Sequence, residues 1–150
     1  MAARNNWFEH DKSLTRRFAI YLPGKDKSGK SIHGLDVAVD ATMTLLCNAF
    51  GGVTSFPAAG RFQRESGGTQ SEDILVLESF CETQAWVDHS EYLHAWAGIL
   101  AAVLVQESIA CLLDGKMILV PPSPLKEPLH HVTPASLQKL AATSLGSSVP

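Results

Sequence analysis

The stretch Ile109-Ala110-Cys111-Leu112-Leu113-Asp114-Gly115-Lys116-Met117-Ile118-Leu119-Val120 decides how this chain folds. Two apolar runs flank Asp114-Gly115, and an Asp-Gly pair between apolar runs is the strongest short-range signal for a β-hairpin. Pro121 and Pro122 follow directly and end the pairing, because proline has no N–H to donate to a sheet. The sequence therefore predicts that the domain ends in a two-stranded hairpin.

Helices and strands alternate ahead of this hairpin. A helix is predicted to begin between Asp88 and Tyr92 and to run to about residue 107. Residues 74–80 are predicted to be the third strand, and its apolar run at residues 74–77 is typical of a central strand that is covered on both faces. Residues 53–56 precede it as a hairpin partner, which Pro57 is expected to end or bulge and which residues 61–63 are an option to continue.

The first strand and the first helix lie nearer the amino terminus. The apolar run of residues 18–22, bounded by Pro23 and Gly24, predicts a strand. A helix is predicted from about residue 35 to residue 50, with Gly51 as its stop. Its apolar side chains repeat at helical spacing and predict one buried face, formed by Val39, Met43, Leu46, Cys47 and Phe50.

The resulting order, β-α-β-β-α-β plus one hairpin strand, predicts the α+β ferredoxin-like plait. In that fold two helices pack on one face of an antiparallel sheet, and the other face stays bare unless something covers it. The predicted domain spans residues 16–120. Residues 1–15 are predicted to be a flexible amino-terminal segment, and residues 121–150 a tail rich in Pro and Ser with one short helix.

Composition narrows the classes of function. The chain has 150 residues, of which 45% are hydrophobic and 18% charged, which is typical of one globular domain. A formal net charge of −3 argues against nucleic acid as a partner. Three widely spaced cysteines offer no metal-ligand spacing, so no metal and no cofactor is predicted, and reduced thiols indicate a cytoplasmic protein. No apolar run reaches the roughly 20 residues of a membrane span.

The run at residues 95–105 is apolar on every side of a helix. A helix on one sheet needs only an apolar stripe of about 100°, so the surplus predicts a protein partner or a second copy of the chain. We expect Trp96, Ile99 and Val103 to form that interface. The leading functional hypothesis is therefore a non-catalytic interaction module, self-associating or a subunit of a larger bacterial complex, rather than an enzyme.

Residues Gly24 to Ser31 match the phosphate-binding pattern G-x-x-x-x-G-K-[ST] directly after a strand. In such a loop Gly24, Gly29, Lys30 and Ser31 would hold phosphates and magnesium. The helix should begin inside the motif so that its free amides face the anion, yet helical periodicity begins only near Asp36. Nucleotide binding stays an alternative, and a polar connecting loop is the favoured interpretation.

A small enzyme with a pocket between sheet and helices, as in dimeric α/β-barrel enzymes, is the main alternative. Its candidate polar groups are His89, His94, Glu78 and Arg61. Carboxylates also cluster around the third strand, at Glu72, Asp73 and Glu78. Glu78 interrupts an apolar run, so we expect it to be buried or, preferably, to lie at the sheet edge or pair with Arg61 or Arg64.

The chain resembles small bacterial proteins with the ferredoxin-like (α/β-plait) fold across residues 17–120. The resemblance rests on Pro23-Gly24-Lys25-Asp26 after a strand, on Phe50-Gly51-Gly52-Val53-Thr54, and on Glu72-Asp73-Ile74-Leu75-Val76-Leu77. It implies oligomerisation and a variable polar loop at residues 25–30, and it carries over no catalytic residue.

Overall fold

A computed structural model describes residues 13–123 of the protein. The elements in chain order are β1 (Arg16–Pro23), α1 (Leu35–Phe50), β2 (Thr54–Gln63), β3 (Thr69–Cys81), α2 (Thr83–Val103), β4 (Ile109–Leu113) and β5 (Lys116–Val120). The strands form one antiparallel sheet in the order β2-β3-β1-β4-β5. This confirms the α+β ferredoxin-like plait with its added hairpin strand. The predictions for residues 1–12 and 124–150 fall outside the described residues.

Several bounds differ from the predicted ones. Strand β2 continues through Pro57, which pairs with Leu75 of β3, and includes residues 61–63; β2 is an edge strand, where a missing N–H toward solvent costs no ladder hydrogen bond. Helix α2 begins at Thr83, ahead of Asp88, and ends at Val103, ahead of the predicted end near residue 107; the N–H of Trp86 donates to the Glu82 carbonyl in its first turn. The predicted bounds followed apolar runs, which do not coincide with the hydrogen-bonded ends of the elements.

Both helices pack on one face of the sheet and enclose the main core. Trp96 of α2 is 1% exposed, and its Nε1 donates to Thr42 Oγ1 of α1 at 3.1 Å. The buried stripe of α1 contains Ala38, Ala41 and Leu45, whereas the predicted stripe included Cys47, which is exposed. The buried stripe is rotated around the helix relative to the predicted one, because the prediction followed the large apolar residues and not the small alanines.

The other face, which we call the open face, carries a second, smaller apolar cluster. Cross-strand partners share a face of the sheet, so the register places Ala19, Tyr21, Val76 and Phe56 there. Ala19 and Val76 are buried, although no described helix packs on this face. Strand β3 is therefore covered on both of its faces over this stretch, as its apolar run predicted.

Candidate functional site

A shallow, open depression of about 500 Å³ lies at the end of the β2–β3 ribbon, beside the loop that follows β1. Seven residues line it, and they combine two cations, two carboxylates, one hydroxyl and two small side chains: Lys25, Ala59, Gly60, Arg61, Ser71, Glu72 and Asp73. The strand register assigns Gly60 and Glu72 to the open face and the other strand residues to the opposite face. The depression is therefore lined by charged side chains from both faces of the sheet, with Glu72 on the open face and Arg61 and Asp73 on the opposite one.

Glu72 is half-buried, and no ion pair among residues 13–123 includes it. One carboxylate oxygen accepts the backbone N–H of Lys25 at 3.1 Å. Burial raises the pKa of the Glu72 carboxyl, and the Lys25 amide and ammonium oppose that shift only in part. A cation placed beside Glu72 would relieve the cost of desolvating its charged form.

Close packing shapes the strand ends around the depression. Gly24 donates its N–H to the Asp73 carbonyl at 2.9 Å, which holds the loop after β1 against β3. A methyl group at Gly60, directly opposite Glu72 in the register, would lie 2.5 Å from Ile74 Cδ1 and 2.7 Å from the Phe62 ring. The ends of the Ile74 and Phe62 side chains therefore occupy the space over Gly60, and a side chain at position 60 would require them to move.

Glu78 lies on the same face of β3 as Glu72 but in a different environment. Arg17 Nε donates to Glu78 Oε2 at 2.6 Å, and this ion pair occupies the carboxylate. The expectation that Glu78 pairs with Arg61 or Arg64 was wrong, because Thr54 is the residue of β2 opposite Glu78, whereas Arg61 lies opposite Ser71, farther along β3 and on the other face of the sheet. Arg64 instead donates to Gln70 Oε1 at 3.1 Å.

The phosphate-type motif forms a self-contained turn. The carboxylate of Asp26 accepts the backbone N–H groups of Ser28 at 2.8 Å and Lys30 at 3.0 Å. Gly34, with φ 74°, separates the motif from α1. Two amides that a phosphate would need are thus already bonded, and the phosphate-binding role of Gly24, Gly29, Lys30 and Ser31 stays a prediction.

The outer side of α2 is partly covered by the chain itself. The N–H of Ser123 donates to the Gly98 carbonyl at 3.1 Å, and a side chain at Gly98 would overlap that of Ser123. Trp96 belongs to the core, while Ile99 and Val103 are half-buried and pack against the core. An interface role for these three residues stays a prediction, and Trp96 reaches almost no solvent in this fold.

The histidines proposed for a catalytic pocket do not meet the depression. His89 packs edge-on against the Phe50 ring, 6.0 Å between centroids, on the helix side of the molecule. His94 is exposed on α2. The space between sheet and helices is filled by core side chains, so of the four candidate groups only Arg61 lines the depression. Within residues 13–123 no cluster of three metal-binding side chains occurs, and no helix could cross a membrane.

Sequence reasoning noticed Glu72 but gave Glu78 more weight, and it overlooked Lys25, Ser71 and Asp73 as partners in one site. Glu72 and Glu78 are separated by an even number of residues, which indicated a shared face of the strand. Nothing in the sequence indicated that Arg17 would occupy Glu78.

Comparisons with known proteins identify the fold among solved structures. Neither the protein-family models nor the curated proteins include a match. A phage SAM lyase in complex with S-methyl-5′-thioadenosine is similar in structure, with a TM-score of 0.57 and 11% identity over 80% of this chain and 98% of that chain. A phage SAM lyase in the apo state gives a TM-score of 0.54 and 12% identity over 78% and 98%.

These similarities contradict the hypothesis of a non-catalytic interaction module, because both similar structures, each covered over 98% of its length, are of an enzyme. The structure also weakens the observation behind that hypothesis. Much of the apolar surface of α2 packs on the core or against the segment that reaches Ser123, with Ile99 and Val103 left half-buried. The alternative of a small enzyme is better supported, but the space between sheet and helices, where its pocket was predicted, is filled by core side chains.

Proposed function

We propose that this protein is a lyase that cleaves S-adenosylmethionine, or a closely related sulfonium nucleoside, to S-methyl-5′-thioadenosine. The observation that supports this most is the shared fold with a phage SAM lyase over 98% of that protein's length. The mixed-charge depression supplies a suitable site, since its carboxylates match the cationic groups of such a substrate. We assign Glu72 as the group that faces the sulfonium.

The chemistry explains why a carboxylate is needed there. Release of S-methyl-5′-thioadenosine breaks the bond between the sulfonium sulfur and the four-carbon amino-acid fragment, and the bonding pair stays on sulfur as a neutral thioether. The atoms balance in two ways. Either the fragment's own carboxylate displaces the sulfur and closes a lactone, or a base removes the neighbouring proton and an alkene forms.

Glu72 fits either route. As an anion close to the sulfonium, it would hold the reacting carbon in place, and a base with a raised pKa is better matched to neutral pH. Binding of the cation would in turn favour the ionised carboxylate. Glu78 is not suited to this role, because its carboxylate already forms an ion pair with Arg17.

The test is to incubate the purified full chain with S-adenosylmethionine and to quantify S-methyl-5′-thioadenosine by liquid chromatography. We expect Glu72→Gln to lower kcat/KM by about 100-fold or more, the usual range for removing a positioned acid–base or electrostatic group. Glu91→Gln, the same change at an exposed position of α2, serves as the matched control. Proton NMR of the second product separates lactone from alkene. Absence of product from the unsubstituted chain would contradict the proposal.

We also propose that the open face packs against a second copy of the chain, in keeping with the predicted homo-oligomer. Five large hydrophobic side chains on this face are more than a third exposed: Phe56, Phe62, Phe80, Met117 and Leu119. Large exposed hydrophobic side chains concentrated on one face of a sheet favour association. Free thiols at all three cysteines support the predicted cytoplasmic location.

Light scattering during gel filtration tests the association. Leu119, 64% exposed, is replaced by Asp, which we expect to reduce the measured mass to that of one chain. Val87→Asp is the control, since Val87 is 61% exposed but lies on α2, away from the open face. A monomeric mass for the unsubstituted chain would rule out the second copy.

A further inference from the structure

Ser71 accepts hydrogen bonds from both cationic side chains of the depression, Arg61 and Lys25. Arg61 Nε donates to the hydroxyl of Ser71 at 3.2 Å, and Lys25 Nζ donates to the Ser71 carbonyl at 3.3 Å. Arg61 and Ser71 are direct cross-strand partners on β2 and β3, so the sheet itself sets their separation. Ser71 therefore orients a guanidinium and an ammonium toward the same small region.

Neither cation is neutralised within residues 13–123. The ion pairs described there join Arg16 to Asp114 and Arg17 to Glu78, and none includes Arg61 or Lys25. With Nε bound to Ser71, the two Nη groups of Arg61 stay available for an incoming acceptor. A guanidinium fork recognises a carboxylate by two parallel hydrogen bonds, and a neighbouring ammonium adds charge.

We infer that the depression selects substrates carrying a free α-carboxylate, which Arg61 binds with the help of Lys25. This inference rests on the proposed function and deepens it, because it assigns the carboxylate and the cationic part of the substrate's amino-acid end to different side chains. The carboxylate lies against Arg61, and the ammonium lies toward Asp73, which is on the same face of the sheet; Glu72 lines the depression from the open face. Arg61 is thus a specificity-determining residue, separate from the assignment of Glu72.

The experiment compares two ligands that are not cleaved, by titration calorimetry on the full chain. S-adenosylhomocysteine retains the amino-acid end, whereas S-methyl-5′-thioadenosine has neither carboxylate nor ammonium. We expect Arg61→Gln to lower the affinity for S-adenosylhomocysteine by about 10- to 100-fold, as for a lost charge-assisted hydrogen bond. The affinity for S-methyl-5′-thioadenosine should be unchanged. Arg64→Gln is the control, because Arg64 is tethered to Gln70 in the same manner but does not line the depression.

Thermal unfolding of each variant checks that it is folded. Unchanged affinity of Arg61→Gln for S-adenosylhomocysteine, equal losses for both ligands, or no binding of S-adenosylhomocysteine by the unsubstituted chain would each overturn the inference. The lyase proposal is judged separately, by product formation from S-adenosylmethionine. Arg61-dependent binding without cleavage would support the carboxylate site and refute the lyase, and cleavage insensitive to Arg61 would do the reverse.

Discussion

The two ends of the open face of β3 carry the same side chain in opposite circumstances. At one end Arg17 Nε donates to Glu78 at 2.6 Å, and at the other Glu72 accepts the backbone N–H of Lys25 and is near enough to the Lys25 ammonium for its pKa to be lowered by it, but forms no ion pair among residues 13–123. Strand β1 accounts for the difference, because Arg17 lies near its beginning and β1 ends at Pro23, before it reaches Glu72. A carboxylate in a direct ion pair stabilises the fold, whereas one without a direct ion pair can still accept a cation.

The largest effect on stability is expected at the Glu72 end, from Gly24→Ala. The added methyl group would lie 2.9 Å from the backbone carbonyl oxygen of Asp73, which cannot move aside as the end of a side chain can, and we expect a cost of about 1–3 kcal/mol of unfolding free energy. Urea unfolding measures this cost. Gly52→Ala is the matched control, because a methyl group there meets nothing within 4 Å. Equal stability of the two variants would show that Gly24 is not tightly packed against β3.

The Arg17–Glu78 pair is predicted to contribute an intermediate amount. In Arg17→Met, the Glu78 side chain, only 15% exposed, loses its cation, and we expect a loss of about 1–2 kcal/mol. Adding Glu78→Gln to Arg17→Met, as the double mutant of a cycle, should restore most of the unfolding free energy that Arg17→Met loses. The exposed Arg16–Asp114 pair is the control, with a smaller coupling because water screens it. A coupling no larger than in the control would remove the contrast between the two ends of β3.

The smallest effect is the pH dependence that Glu72 adds to stability. Its pKa is raised in the folded protein, so between the unfolded and folded values the folded state binds more protons. The unfolding free energy should therefore fall as pH rises through that interval, and then remain at the lower value. Glu72→Gln should lack this decline, as urea unfolding at several pH values would reveal. Parallel profiles for the two proteins would mean that burial of Glu72 has little energetic consequence.

Much of the fold could be predicted from local patterns. Alternating apolar runs, Asp114-Gly115 and Gly51 gave the order of the elements, because turns and helix ends depend on a few neighbouring residues. The run at residues 95–105 was misinterpreted for a related reason. Hydrophobicity shows that a helix must be covered but not by what, and α1 and the segment reaching Ser123 cover it within the chain.

The candidate site was the least predictable part. Its residues come from the loop after β1 and from two strands, with Arg61 and Glu72 on opposite faces of the sheet, and only the folded chain brings them and Lys25 to one depression. The phosphate-type motif lies in the same loop after β1. Its residues match the pattern, but the carboxylate of Asp26 already accepts the backbone N–H groups that a bound phosphate would need.

By itself, the amino-acid sequence determined the order of strands and helices, because turns and helix ends follow from spacing between near neighbours. The tertiary structure alone decided which charges are paired. Coulomb interactions and hydrogen bonds depend on distances between residues far apart in the chain, and those distances exist only once β1, β2 and β3 are paired. Arg17 meets Glu78 across 61 positions, whereas Glu72 forms no ion pair among residues 13–123.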